Sequence, residues 1–159
     1  MAKARVIPDL RGTDAFREAA AKAVAVRADE LWEHADNVLD VGDIERVHDM
    51  RVATRRLRAV LEIFAPCFPK KAHRAALRDV KALADALGER RDPDVQIEHL
   101  EAYADAAPAE DRPGVDVLVS RLRSRQAVAN ADLAAALAEM ERGDLRGRLL
   151  ALMEEARAA

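Results

Sequence analysis

The sequence predicts an all-α protein, an antiparallel helical bundle of about six helices, and three observations carry that reading. Apolar residues recur three and four positions apart along most of the chain, and no segment alternates in the manner of a strand. Apolar residues make up 50% of the chain but aromatics only 3%, so a core must be assembled from Ala, Leu and Val. Side chains that small suit close helix–helix packing better than a sandwich or a barrel. The breaks between periodic segments are short, which makes consecutive helices antiparallel neighbours. At 159 residues the chain can bury about two thirds of its unfolded surface, enough for a single helical domain over residues 1–159.

The first helix is expected from about Thr13 to Asn37, capped by Thr13 or Asp14, with Phe16, Ala20, Val24 and Leu31 facing inward. A turn at Val41-Gly42-Asp43 leads into a second helix, Ile44 to about Phe64, capped by Asp43 and stopped by Pro66 and Pro69. A third spans Lys70 to Leu87 and ends at Gly88, the residue that most often closes a helix. Asp92 and Pro93 then read as N-cap and first residue of a fourth helix running to about Ala107, because a proline there has no bond to lose. The stretch APAEDRPG, 107–114, is the longest loop-like segment and the best internal boundary. A fifth helix is expected from Pro113 to Glu141, interrupted by Gly143, and a last one from Asp144 to Ala156.

Charge is segregated along this frame. The formal net charge is −3, yet residues 46–91 hold 12 Lys and Arg against 5 Asp and Glu, a local +7 that leaves −10 for the rest. A basic centre in an acidic chain points to a local anion site rather than a generally adhesive surface.

Within that centre, Val47, Met50, Thr54, Leu57, Leu61 and Phe64 line one face of the second helix as its core stripe. His48, Arg51, Arg55 and Arg58 repeat the same spacing one residue later and form a ridge beside it. Val52, Ala53, Ala59, Val60 and Ile63 fill much of the remaining circumference, so the helix reads as largely buried. The third helix repeats the design, with Leu77, Val80, Ala84 and Leu87 as core and Lys71, Arg74, Arg78 and Lys81 as ridge. Facing flanks of two antiparallel helices would then line one groove with seven cations and an imidazole. A single ridge is accounted for by side chains snorkelling over apolar neighbours. Two phased ridges, with only Asp49, Glu62, Asp79 and Asp85 as local acids, repeat a like-charge repulsion of a few tenths of a kcal/mol per pair. A polyanion would offset that cost, since guanidinium forks hold phosphate oxygens bidentately and a linear ridge matches a linear ligand.

VHDMRVATRRLR (47–58), followed by LGERRDPDV (87–95), resembles the CHAD domain, the conserved histidine α-helical domain. RLRSR (121–125) and LRGRLLAL (145–152) agree with it more loosely. The resemblance implies an all-α fold that binds inorganic polyphosphate through basic helix faces. It places His48, Arg51, Arg55, Arg58 and Arg91 at the motif's own positions, while Lys71, Arg74, Arg78 and Lys81 match its basic character. The typical member has two halves, each with a His–Arg helix. This chain carries one, so it resembles a half-length version. Together with apolar residues on two faces of the second helix and along the fifth (Val115, Leu118, Val119, Leu122, Leu133, Leu137, Met140), that leads us to expect a homodimer.

Other chemistries fit less well. A histidine phosphotransfer module would use His48 as phosphoacceptor with Arg51 beside it, but Val52 crowds the imidazole and the remaining ridge has no role. His34, His48, His73 and His99 lack metal-ligand spacing, so no metal or cofactor is expected. Cys67, set between prolines beside Phe68, reads as a small hydrophobe rather than a nucleophile, and no glycine-rich phosphate loop exists. We therefore expect no enzyme. Nucleic acid is a competing polyanion, but Phe16, Trp32, Phe64, Phe68 and Tyr103 do not interleave with the ridges as base-stacking platforms would. The lone cysteine, the lack of a signal-peptide pattern and the lack of a long apolar run predict a cytoplasmic protein outside the membrane, and the family resemblance implies association with polyphosphate granules.

Overall fold

The structure, a computed structural model, describes residues 3–158; Met1, Ala2 and Ala159 of the expected domain lie outside the described residues. Among the described residues there are five α-helices and no strand. They are α1 (Phe16–Glu33), α2 (Ile44–Ile63), α3 (Lys70–Ala106), α4 (Arg112–Arg142) and α5 (Leu145–Ala158), with one 3-10 turn at Ala65–Cys67. α1 lies between α2 and α5, and α3 packs against α2 on one side and α4 and α5 on the other.

Most of the core forms where the helical periodicity put it. Ala20, Ala21, Val24 and Leu31 of α1 meet Val47, Met50, Leu57 and Leu61 of α2. Ala76, Val80, Leu83 and Leu87 of α3, Leu133 of α4 and Leu145, Leu149 and Leu152 of α5 complete it. Thr54 is also buried, its hydroxyl donating to the Met50 carbonyl at 2.8 Å, so a polar atom inside the stripe is satisfied by its own helix. Removing one of the central leucines, such as Leu57, is expected to cost about 2–5 kcal/mol through lost burial and the cavity left behind.

α1 is shorter than its sequence suggests at both ends. Asp14 does not cap it; its carboxylate accepts the Arg11 backbone N–H at 3.0 Å and pairs with Lys22 at 2.9 Å, and Ala15 occupies the cap position. Phe16 is 55% exposed instead of inward, resting on Phe64 with ring centroids 4.8 Å apart. Asn37, the expected last helical residue, sits at φ 56° in the turn beyond. Asp43 stands at the α2 cap position without a side-chain cap bond and pairs with Arg46 at 2.9 Å. Ala59 and Ile63 of α2 are exposed, so that helix is less enclosed than its composition suggests.

The main correction concerns the third and fourth helices, which are one. α3 runs unbroken through Gly88 and Pro93. A glycine stops a helix by entering the left-handed region, and no glycine has positive φ here. An interior proline loses one backbone bond and crowds the preceding turn, at about 3 kcal/mol. Tertiary packing offsets that cost: Pro93 is buried, and Arg90 pairs with Asp94 across the turn that contains it, both inside the contact with α4. Asp92 is therefore an exposed mid-helix residue, not a cap. At the other end of the chain, the Asp144 carboxylate accepts the Gly147 backbone N–H at 3.1 Å and starts α5 as expected. No helix among the described residues is long and apolar enough to cross a membrane.

Candidate functional site

Most of the side chains singled out from the sequence fall around the flank where α2 meets α3, but not all the α3 ridge does. On α2, Arg51 and Arg58 are half-buried and Arg55 is exposed, with His48 half-buried one turn before them. Arg58 reaches Glu62 at 3.1 Å, and Lys81 of α3 reaches the same carboxylate at 3.2 Å. The two helices thus bring one ridge cation each to a single acid. Hydrogen bonds from Arg58 first and Lys81 second hold the Glu62 carboxyl below the usual carboxylate range. Among the described residues, no carboxylate pairs with Arg51, Arg55, Lys71 or Arg74.

The α3 ridge divides. Arg74 and Lys81 are seven residues apart, on the face that Lys81 turns to α2. Lys71 and Arg78 form the other pair. Arg78 is 76% exposed, pairs with Asp79 at 2.9 Å and lines a cavity of about 490 Å³ between α3, α4 and the start of α5. Arg148 of α5 joins it there, donating to Asp79 at 2.6 Å and to the Gly143 carbonyl at 2.8 Å. Burial pushes the Asp79 carboxyl up, but hydrogen bonds from Arg148 and Arg78 outweigh it and the net direction is down. Arg148 is a cation of this region that no ridge pattern flagged, because it comes from a distant helix.

Arg91 has a different setting. Only 13% exposed, it donates to the Ile44 carbonyl at 3.0 Å and approaches Glu45 at 3.5 Å, tying α3 to the first turn of α2 just before His48. Its neighbour Arg90 is fully buried and bonds to Asp94 and, at 2.9 Å, to Asn130 of α4, while Gln126 donates to Asp94 at 2.6 Å. Arg90 Nη2 and Asp94 Oδ2 have no hydrogen-bond partner. This network locks α3 to α4 and does not face the α2 flank.

Elsewhere, His73 is buried, its Nε2 2.8 Å from the Leu61 carbonyl and its ring stacked on Phe68. Burial pushes the Cys67 thiol up, against a weaker influence of Arg17. Among the described residues, no three His, Cys, Asp or Glu side chains converge as metal ligands would.

An all-α bundle with a His–Arg helix set beside a second cation-bearing helix defines a class of helical domain rather than an isolated case. The family model of the CHAD domain matches residues 22–159, nearly the whole chain, and the protein belongs to the CHAD domain family. No curated protein matches it.

Proposed function

We propose that this protein binds inorganic polyphosphate in the groove between α2 and α3, as a binding module and not as an enzyme. His48, Arg51, Arg55 and Arg58 supply one wall, and Arg74 and Lys81 the other. Arg91 holds the α2 end of the groove in register, and Lys71 and Arg78 add positive potential from the adjoining face. The observation that carries the reading is the set of ridge cations left without carboxylates, Arg51, Arg55 and Arg74, flanking the Arg58–Glu62–Lys81 cluster. Guanidinium groups aligned one turn apart can each take a phosphate of a linear chain. Membership of the CHAD family supports the same ligand. The protein would act in the cytoplasm, at polyphosphate granules, and as a homodimer.

The test is direct binding against a salt series, with RNA and DNA of matched charge as competitors. Affinity should fall steeply with salt as condensed counterions are displaced. Reversing Arg51, Arg55 and Arg58 together to Glu should abolish binding with the helical circular dichroism unchanged. Wild-type affinity in that variant would remove α2 from the site. His48→Ala should weaken binding only modestly, because it removes one lining group and leaves the guanidinium forks of Arg51, Arg55 and Arg58 in place. Stoichiometric phosphohistidine at His48 after incubation with a phosphodonor would favour phosphotransfer instead.

A further inference from the structure

We infer that the cavity between α3, α4 and the start of α5 is a second binding site, one that takes a monocarboxylate carrying a short apolar body. The inference does not rest on the polyphosphate reading. Packed helices interdigitate their side chains and leave few voids larger than a water molecule. Here two lining residues, Ala82 of α3 and Ala136 of α4, are too short to fill the space between their helices. Leu83 and Met140, both buried, line it with them, so one part of the wall is apolar. The volume, about 490 Å³, lies within the range of about 300–1,000 Å³ over which small molecules are bound.

The polar part of the wall is organised around one acid. Asp79 accepts from Arg78 Nε at 2.9 Å and from Arg148 Nη2 at 2.6 Å, while Arg148 Nε donates to the Gly143 carbonyl at 2.8 Å. Those hydrogen bonds keep the Asp79 carboxyl below its ordinary range, so it stays charged and holds both guanidinium groups in place at neutral pH. Among the described residues, Nη1 and Nη2 of Arg78 and Nη1 of Arg148 donate to nothing. Charge then selects the anion. Arg78 and Arg148 against Asp79 leave one positive charge, and Glu139, which also lines the cavity, is matched by Arg142 at 2.5 Å. One carboxylate cancels that charge and fits the parallel N–H groups of a guanidinium. A phosphate monoester, at about −1.5 to −2 near neutral pH, would leave excess negative charge beside Asp79. An apolar body on the carboxylate leaves water against Ala82, Leu83, Ala136 and Met140.

Octanoate is the probe, with octyl phosphate and 1-octanol beside it. Isothermal titration of the full chain should show saturable octanoate binding, with 1-octanol about tenfold weaker and octyl phosphate weaker than octanoate. Arg78→Gln should weaken octanoate by about fivefold, and since Arg78 is largely exposed the fold is undisturbed. Ala82→Leu, at an exposed position, should fill the cavity and abolish binding with unchanged helicity. Reversing Arg51, Arg55 and Arg58 to Glu should leave octanoate affinity as in the wild type, which separates this site from the α2 groove. No saturable octanoate binding at millimolar concentration overturns the inference. So does 1-octanol or octyl phosphate binding as tightly as octanoate, or wild-type affinity in Ala82→Leu. Loss of octanoate binding on the α2 reversal would move the carboxylate to the groove and overturn it too.

Discussion

Glu62 of α2 and Lys81 of α3 meet at 3.2 Å across the flank between their helices, and Arg58 approaches the same carboxylate at 3.1 Å. The acid joins the two ridges, and it also occupies two of their cations. A phosphate chain laid along the groove must compete with it. Glu62→Gln should therefore tighten polyphosphate binding at neutral pH, by about two- to fivefold, the worth of an exposed ion pair. Acidification should act in the same direction. Because the carboxyl is held below its usual range, its contribution to stability is complete above that range and is lost as pH falls through the lowered value. Over that interval Arg58 and Lys81 are released to the ligand, so affinity measured by titration should rise as stability declines. Weaker binding by the Gln variant would instead make Glu62 an organiser of the site.

The division of the α3 ridge gives a directional test. Arg74→Glu with Lys81→Glu should reduce affinity strongly, since both lie on the face toward α2. Lys71→Glu with Arg78→Glu should reduce it less and act mainly through the salt-sensitive long-range field. Equal losses would mean that the ligand wraps around α3 rather than following the groove.

Arg90 and Asp94 should matter for stability and not for binding. Arg90→Met leaves a buried carboxylate whose main partner is gone, at a cost of about 3–5 kcal/mol. Replacing both, Arg90→Met with Asp94→Leu, should recover most of that loss, because the charges disappear together. Urea denaturation of the single and double variants measures both. A double variant no better than the single would locate the cost in Gln126 and Asn130, which also bond to the pair.

Gly147 leaves room for the cap. A Cβ there would collide with the Asp144 carboxylate that starts α5 and force that side chain to turn away, and Asp144 already holds φ 45°. Gly147→Ala should displace the cap and lower stability by about 1–2 kcal/mol, seen as a reduced Tm, although alanine ordinarily favours a helix.

Much of this arrangement is legible in the sequence where local periodicity decides the outcome. Of the α2 stripe, Val47, Met50, Thr54, Leu57 and Leu61 are buried as their spacing predicts, because one helix face is enough to specify them, while Phe64, just past the helix end, is only half-buried. The α3 stripe is legible only in part. Val80 and Leu87 are buried, but Leu77 and Ala84 give way to Ala76 and Leu83, since α3 sits between α2 and α4 rather than against α2 alone. The Gly88 and Pro93 signals are local, and contacts from α4 forty residues away override them. Once α3 is taken as one helix, Leu83, Leu87, Arg90, Asp94 and Ile97 fall on a single buried face. Splitting the helix hid Arg90, while Arg91, its more accessible neighbour, enters through the family motif. The partition of Arg74 and Lys81 from Lys71 and Arg78 likewise depends on which helix lies on each side of α3, and a single-helix pattern does not encode that.

An uninterrupted α3 has a mechanical consequence. Its 37 residues, rising about 1.5 Å each, make a strut about 55 Å long. The ridge cations Lys71, Arg74, Arg78 and Lys81 occupy its first half and the carboxylates from Asp92 to Asp105 its second. With a loop at Gly88–Pro93 these halves would swivel freely against each other. As one rod, the strut fixes the angle between the cations at its near end and the α4 contact at its far end, and a load on one end is felt as torque at the other.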